Sequence, residues 1–153
     1  MIEPLLTDWQ CGIDTVPKPG PGDEFRMCID YDNLNKLTKI VKFPIPNIED
    51  ILQSLGGAVY FCKLDLAKGY YQVPVSPRSK KYTTFVSRSG TYAFNRMPFG
   101  PKNAPAVFQQ MMNRALGDLL YSIACVYLDD IIIWGRTLEE VLHNTEKVIE
   151  RLR

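Results

Sequence analysis

The chain has 153 residues, 46% of them hydrophobic and 23% charged, with a formal net charge of +1. That is the length of one ordinary domain able to bury a real core, and the balance of a soluble globular protein. No apolar run approaches membrane-spanning length and Met1-Ile2-Glu3-Pro4 carries no signal character, so no membrane partner and a cytosolic or nuclear setting are expected.

A near-neutral chain can hold nucleic acid only through a local basic surface, not through overall charge. The cysteines, Cys11, Cys28, Cys62 and Cys125, form no CxxC pair and read as reduced, buried thiols. The single histidine, His143, lies on a helical pattern, which argues against triad chemistry and His-ligated zinc.

Residues 1 to 25 show no clear period, and Pro17-Lys18-Pro19-Gly20-Pro21-Gly22-Asp23 is a turn-rich loop ahead of a strand from Phe25 to Asp30. After Pro46, the spacing of Ile48, Ile51, Leu52 and Leu55 predicts a short amphipathic helix with a core-facing stripe, stopped by Gly56-Gly57. Ala58 to Asp65 reads as a strand ending in an acid. Tyr82–Ser87 and Thr91–Arg96 read as a hairpin about Arg88-Ser89-Gly90. An irregular loop from Met97 to Asn103 then enters a helix at Ala104, whose expected face is Val107, Phe108, Met111, Ala115 and Leu116.

The apolar run from Ile123 to Trp134 is interrupted by Asp129-Asp130, and its β-branched halves predict two strands joined at Leu128-Asp129. Thr137 with Glu140 three residues later is a capping-box pattern. It opens a helix with Leu138, Val141, Leu142, Val148, Ile149 and Leu152 on one face and no stop before Arg153, as in a piece of a larger protein. Helices mixed with largely antiparallel strands predict an α+β domain, helices packed on one sheet face.

Desolvating unpaired carboxylates is costly, so Asp129 and Asp130 in an apolar run call for a reason. Each has an ordinary reading: polar corners of a hairpin for Asp129 and Asp130, a helix cap for Asp65. If the two strands are neighbours, however, the three carboxylates converge at one edge. An all-oxygen donor set without His or Cys favours magnesium over zinc, and a structural calcium site is the competing cation reading. Two ions about 3.5 to 4 Å apart would suit phosphoryl transfer. Lys18 and Arg26 could then neutralise a triphosphate.

Tyr127-Leu128-Asp129-Asp130 resembles the YxDD signature of reverse transcriptases, and Phe61 to Gln72 looks like their first catalytic motif. Arg26-Met27-Cys28-Ile29-Asp30-Tyr31 with Leu34-Asn35, and Met97-Pro98-Phe99-Gly100 with Asn103-Ala104-Pro105, are similar to the Ty3/gypsy-type retrotransposon form. The resemblance covers roughly residues 16 to 153, leaving 1 to 15 as a poorly matching segment. It implies a fingers and palm architecture that ends before the thumb and any ribonuclease H region.

The resemblance further implies RNA-directed DNA polymerase activity on an RNA or DNA template with a primer, using a deoxynucleoside triphosphate (dNTP) and two magnesium ions, with manganese as a substitute. Asp65, Asp129 and Asp130 are implied as catalytic metal ligands, with the Leu66 carbonyl also touching metal. The implied substrate contacts are Lys18, Arg26, Leu66, Ala67, Tyr70, Phe99 and Gly100. Tyr70 would exclude a ribose 2′-hydroxyl by clash. Phe99 stands where related polymerases often carry Gln, Asp32 where arginine is usual and Pro101 where leucine is usual. Asp32, Pro101 and the missing thumb frame the alternative, a catalytically inactive remnant that keeps the fold, with or without nucleic-acid binding. Without a thumb, weak or absent processive synthesis is expected from this chain alone.

Overall fold

In the computed structural model, which describes residues 1–20, 24–44 and 47–153, the elements run β1 (Ile2–Pro4), β2 (Ile13–Pro17), β3 (Phe25–Ile29), α1 (Asp32–Leu37), α2 (Ile48–Ser54), β4 (Tyr60–Asp65), α3 (Pro77–Lys80), β5 (Phe85–Ser87), β6 (Gly90–Phe94), α4 (Ala104–Leu116), β7 (Ala124–Tyr127), β8 (Asp130–Gly135) and α5 (Leu138–Leu152). Pro21-Gly22-Asp23 of the turn-rich loop and Pro46 before α2 lie outside the described residues. The chain divides into two compact units, Met1–Ile40 with Tyr70–Ala104, and Val41–Gly69 with Pro105–Arg153. Helices and antiparallel strands are mixed as expected for an α+β protein. Among the described residues no helix is long and apolar enough to cross a membrane.

The first unit contains an antiparallel sheet in the order β1-β6-β5 and a two-stranded ribbon, β2-β3. Cys11 links them to each other, its N–H donating to the Thr84 carbonyl (2.9 Å) and its carbonyl accepting from Val86 N–H (3.1 Å). Buried Cys11, Tyr31, Phe85 and Phe94 form the core beneath this junction. The expected strand from Tyr82 starts late, at Phe85, because Lys81–Thr83 winds into a 3₁₀ turn whose Thr83 hydroxyl bonds the Lys80 carbonyl (2.8 Å). Cys28 departs from the expectation of buried thiols: on the open ribbon it faces solvent, whereas Cys11 and Cys125 are buried and all the cysteines are free.

The second unit is organised by a sheet in the order β4-β8-β7, antiparallel throughout. Side chains alternate across β8, so Ile131 and Ile133 share one fully buried face while Ile132 and Trp134 lie on the other. Ile51 of α2 packs on that second face with Cys125 and Trp134. The expected α2 stripe is only half used, since Ile48 and Leu52 are exposed and Ile51 and Leu55 make the contact. α5 behaves likewise: Val141, Asn144 and Val148 are buried, while Leu138, Leu142 and Ile149 face outward. Its start is capped as expected, Glu140 N–H donating to the Thr137 hydroxyl (3.1 Å). The α4 face is rotated from the expected one, burying Phe108, Gln109, Met112 and Leu116 and leaving Val107 exposed.

Candidate active site

Tyr127 pairs directly with Asp130, so the connection between β7 and β8 is the two-residue loop Leu128-Asp129. Two-residue hairpins favour residues with positive φ, which normally selects glycine or asparagine. Leu128 adopts φ +55° instead, at a cost of about 1–2 kcal/mol for an L residue with a Cβ. Gln109 offsets that cost. Fully buried on α4, it donates from Nε2 to the Val126 carbonyl (3.0 Å) and to Asn113 Oδ1 (3.0 Å), and its Oε1 accepts from Leu128 N–H (3.3 Å). The amide thus pairs with β7 as a short strand would, on both sides of Tyr127.

Across the sheet, Asp65 at the end of β4 stands opposite Asp130 at the start of β8, and Leu66 N–H donates to the Asp129 carbonyl (3.2 Å). Directly opposed residues present their side chains on the same face, so register alone puts Asp65 beside Asp130. Asp129 Oδ1 is buried and has no hydrogen-bond partner. Desolvation, then the charges of Asp65 and Asp130, push the Asp129 carboxyl above the usual carboxylate range. Lys63, two residues before Asp65 and therefore on its face, holds Asp130 Oδ2 at 2.8 Å. Among the described residues no three His, Cys, Asp or Glu side chains form a ready metal cage.

The donor chemistry nevertheless fits a hard divalent cation: carboxylates only, one of them with an orphaned buried oxygen and a charge its neighbours disfavour. The Leu66 carbonyl accepts from Gly69 N–H (3.1 Å), which leaves a second lone pair free of that bond. Ala67 follows in the exposed segment after β4.

The remaining expected contacts lie in the first unit. Arg26, Cys28, Tyr71, Phe94, Phe99 and Gly100 line a cleft of about 410 Å³. Tyr70 is buried and tilted against Phe99, ring centroids 4.8 Å apart, and Tyr71 meets the same ring edge-on at 5.4 Å. Lys18, expected at a triphosphate, is held by Glu24 at 2.6 Å across the end of the β2-β3 ribbon. Gly100 has φ +105°, and a Cβ there would meet Tyr31 Cδ2 at 2.9 Å, so both backbone and space require glycine. Asn35 clamps this loop, donating to the Gly100 carbonyl (2.9 Å) and accepting from Lys102 N–H (2.7 Å). Asp32, the charge departure, is the first residue of α1, where an acid complements the helix dipole, and its N–H donates to Asp30 Oδ1 (2.9 Å).

Gln109 and Lys63 received no role from the sequence. The signal for Gln109 is present, a lone amide in the core stripe with Phe108, Met112 and Leu116, but it is visible only once the helix phase is right. Lys63 alternates with Asp65 on a strand whose exposure leaves no other mark.

Comparison with known proteins agrees with these motifs. The sequence profile of the family described as "Reverse transcriptase (RNA-dependent DNA polymerase)" matches residues 16–153. The chain is 43% identical over 136 residues, 89% of its length, to the "Retrovirus-related Pol polyprotein from transposon 297" of Drosophila melanogaster, and spans 13% of that polyprotein. It is 44% identical over 109 residues, 71% of its length, to an "RNA-directed DNA polymerase homolog" of Oenothera berteroana, of which it spans 77%. The foamy viral protease-reverse transcriptase, solved in complex with an RNA/DNA hybrid, superposes with a TM-score of 0.86 at 28% identity, over 99% of this chain and 20% of that one. The chain therefore belongs to the reverse transcriptase family, with transposon Pol polyproteins among its relatives.

Proposed function

We propose that this chain is the fingers and palm part of an RNA-directed DNA polymerase, joining a primer 3′-hydroxyl to the α-phosphorus of a dNTP with release of pyrophosphate. The observation that carries the reading is the hairpin tip: Asp65 opposite Asp130, with the adjacent Asp129 presenting an orphaned buried oxygen. Asp65 and Asp129 would be the principal ligands of two magnesium ions, manganese substituting, with Asp130 and the Leu66 carbonyl completing the set. Bound there, such ions would lower the pKa of the attacking hydroxyl and stabilise the leaving oxygen.

The chain's own groups do the positioning. β4 and β8 hold two of the acids on paired backbone, so their separation is set by sheet geometry rather than by a loop. Arg26 would grip the triphosphate, joined by Lys18 once it leaves Glu24. Tyr70 would exclude a 2′-hydroxyl by steric clash. Phe99 would pack on sugar or base, having no donor for phosphate, and Gly100 lets that loop approach closely. Ala67 would be a further substrate contact beside the acids.

Template and primer binding is supported by the complexes formed by the foamy viral enzyme. The far greater length of the transposon 297 polyprotein and of the foamy viral chain supports a complete enzyme in which further regions, a thumb and a ribonuclease H region in this reading, accompany this segment. Two measurements test the reading. Calorimetry of dTTP with this chain is expected to show magnesium-dependent binding, lost in Asp129→Asn. Addition of a single nucleotide to a primer on an RNA template is expected to require Asp129 as well. Nucleotide binding or addition that Asp129→Asn leaves unchanged would overturn the assignment.

A further inference from the structure

Lys63 is the one cation seen bound to the acidic corner among the described residues, and the polymerase reading leaves it without a role. It sits on β4, on the same face as Asp65, and reaches diagonally across to Asp130 on β8, 2.8 Å from Oδ2. Its ammonium is stabilised first by the hydrogen bond to Asp130, then by the charge of Asp130, and more weakly by Asp65. The corner is thereby divided. Asp129 keeps an unpartnered buried oxygen, whereas Asp130 already has its counter-charge.

A divalent cation drawn to Asp65 and Asp129 would arrive beside a fixed positive charge, and like charges at this range repel appreciably even when solvent screens them. Resting on the reading above that these acids hold divalent ions, we propose that Lys63 is a resident counter-ion of the site, which an incoming divalent cation displaces from Asp130. The exchange balances in charge: the ammonium leaves protonated, and the carboxylate passes from one cation to another. The Lys63 side chain is 64% exposed and that of Asp130 40%, so the ammonium can swing into water without repacking the sheet. Asp130 is then held in place while the site is empty and released to the metal when it fills. The repulsion across the sheet between Asp65 and Asp130 is relieved in both states.

The test is manganese binding by this chain, read from loss of the free-ion electron paramagnetic resonance signal, with melting curves for each variant. Lys63→Met removes the competing charge and is expected to tighten binding roughly three- to tenfold. Lys63→Arg should stay within about twofold of the parent, since the charge is kept. A lysine that only steadied the sheet would alter the melting temperature and leave the affinity alone. A second measurement needs no substitution: magnesium titration should move the Lys63 side-chain ammonium ¹⁵N resonance from its ion-paired position to that of a free lysine. Unchanged or weaker manganese binding in Lys63→Met, or an ammonium signal that ignores magnesium, overturns the proposal while the metal reading stands. If the parent chain and Lys63→Met both fail to bind and match Asp129→Asn, the metal reading itself falls and the proposal with it.

Discussion

Replacing Gln109 with methionine isolates the support of the catalytic hairpin from its charges. Methionine fills nearly the same volume, so the change is chemical rather than a cavity. The Val126 carbonyl lies in a fully buried residue and would lose the Gln109 donor, and the Leu128 N–H would lose its acceptor at the residue with φ +55°. Leaving a buried polar group unsatisfied costs about 1–3 kcal/mol. With one such group buried and the other partly so, the expected loss is roughly 2–4 kcal/mol. For a chain of this length that is a fall in melting temperature of about 5–15 °C, read by circular dichroism.

Leu128→Gly supplies the control for this substitution. Glycine adopts positive φ without penalty, so part of what Gln109 holds in place no longer needs holding. In the double variant the two effects should fall short of additivity by about 0.5–2 kcal/mol. A Gln109→Met chain within about 0.5 kcal/mol of the parent, or strict additivity with Leu128→Gly, would refute the idea that this amide braces the turn.

Three further outcomes follow from other contacts. Gly69→Ala would place a Cβ 2.7 Å from Phe108 Cζ, a ring that is 1% exposed and cannot swing aside, so urea unfolding should show a loss of about 1–3 kcal/mol. The Lys80 hydrogen bond, with help from Asn95, holds the Glu3 carboxyl below its usual range; a depressed carboxylate contributes stability above its unfolded value and loses it as pH falls through the folded one. Glu3→Gln should therefore melt below the parent at pH 7 and converge with it below about pH 4. Asp129 has the opposite sign: its carboxyl is raised, so its ionisation works against the fold as pH climbs through the ordinary carboxylate range. Asp129→Asn should melt above the parent at pH 7 without added metal, and the gap should close by about pH 3.

What could be read from the sequence follows the physics of exposure. The β7-β8 hairpin was legible because both strands are buried and β-branched, so a polar pair had to mark the turn. The α5 cap was legible because Thr137 and Glu140 act locally. β1 and β2 were not: one is three residues long, the other almost wholly exposed, and exposed strands carry no alternation to read. The phase of α4 was misread because a buried amide looks like a surface residue until its three partners are known. On α2 and α5 the apolar stripe was real, yet periodicity says only that a face is apolar and not what covers it. The Lys18 pairing with Glu24 depends on how the ribbon closes, which no spacing rule predicts.

The acidic corner breaks several local rules at once. A leucine sits where glycine belongs, a carboxylate oxygen is buried without a partner, and like charges oppose each other across a ladder. The same register that produces these conflicts is enforced by the apolar residues behind them. Ile131 and Ile133 are fully buried, and slipping β8 by one residue against β4 would turn both to the other face and carry Asp130 away from Asp65. Packing and acid placement are therefore linked: a one-residue slip loses both, whereas a two-residue slip would keep the isoleucines inside and still carry Asp130 away from Asp65, to stand opposite Lys63 or past the end of β4. The hairpin tip keeps its strain because the buried Ile131 and Ile133 and the direct pairing of Tyr127 with Asp130 hold the strand that it begins.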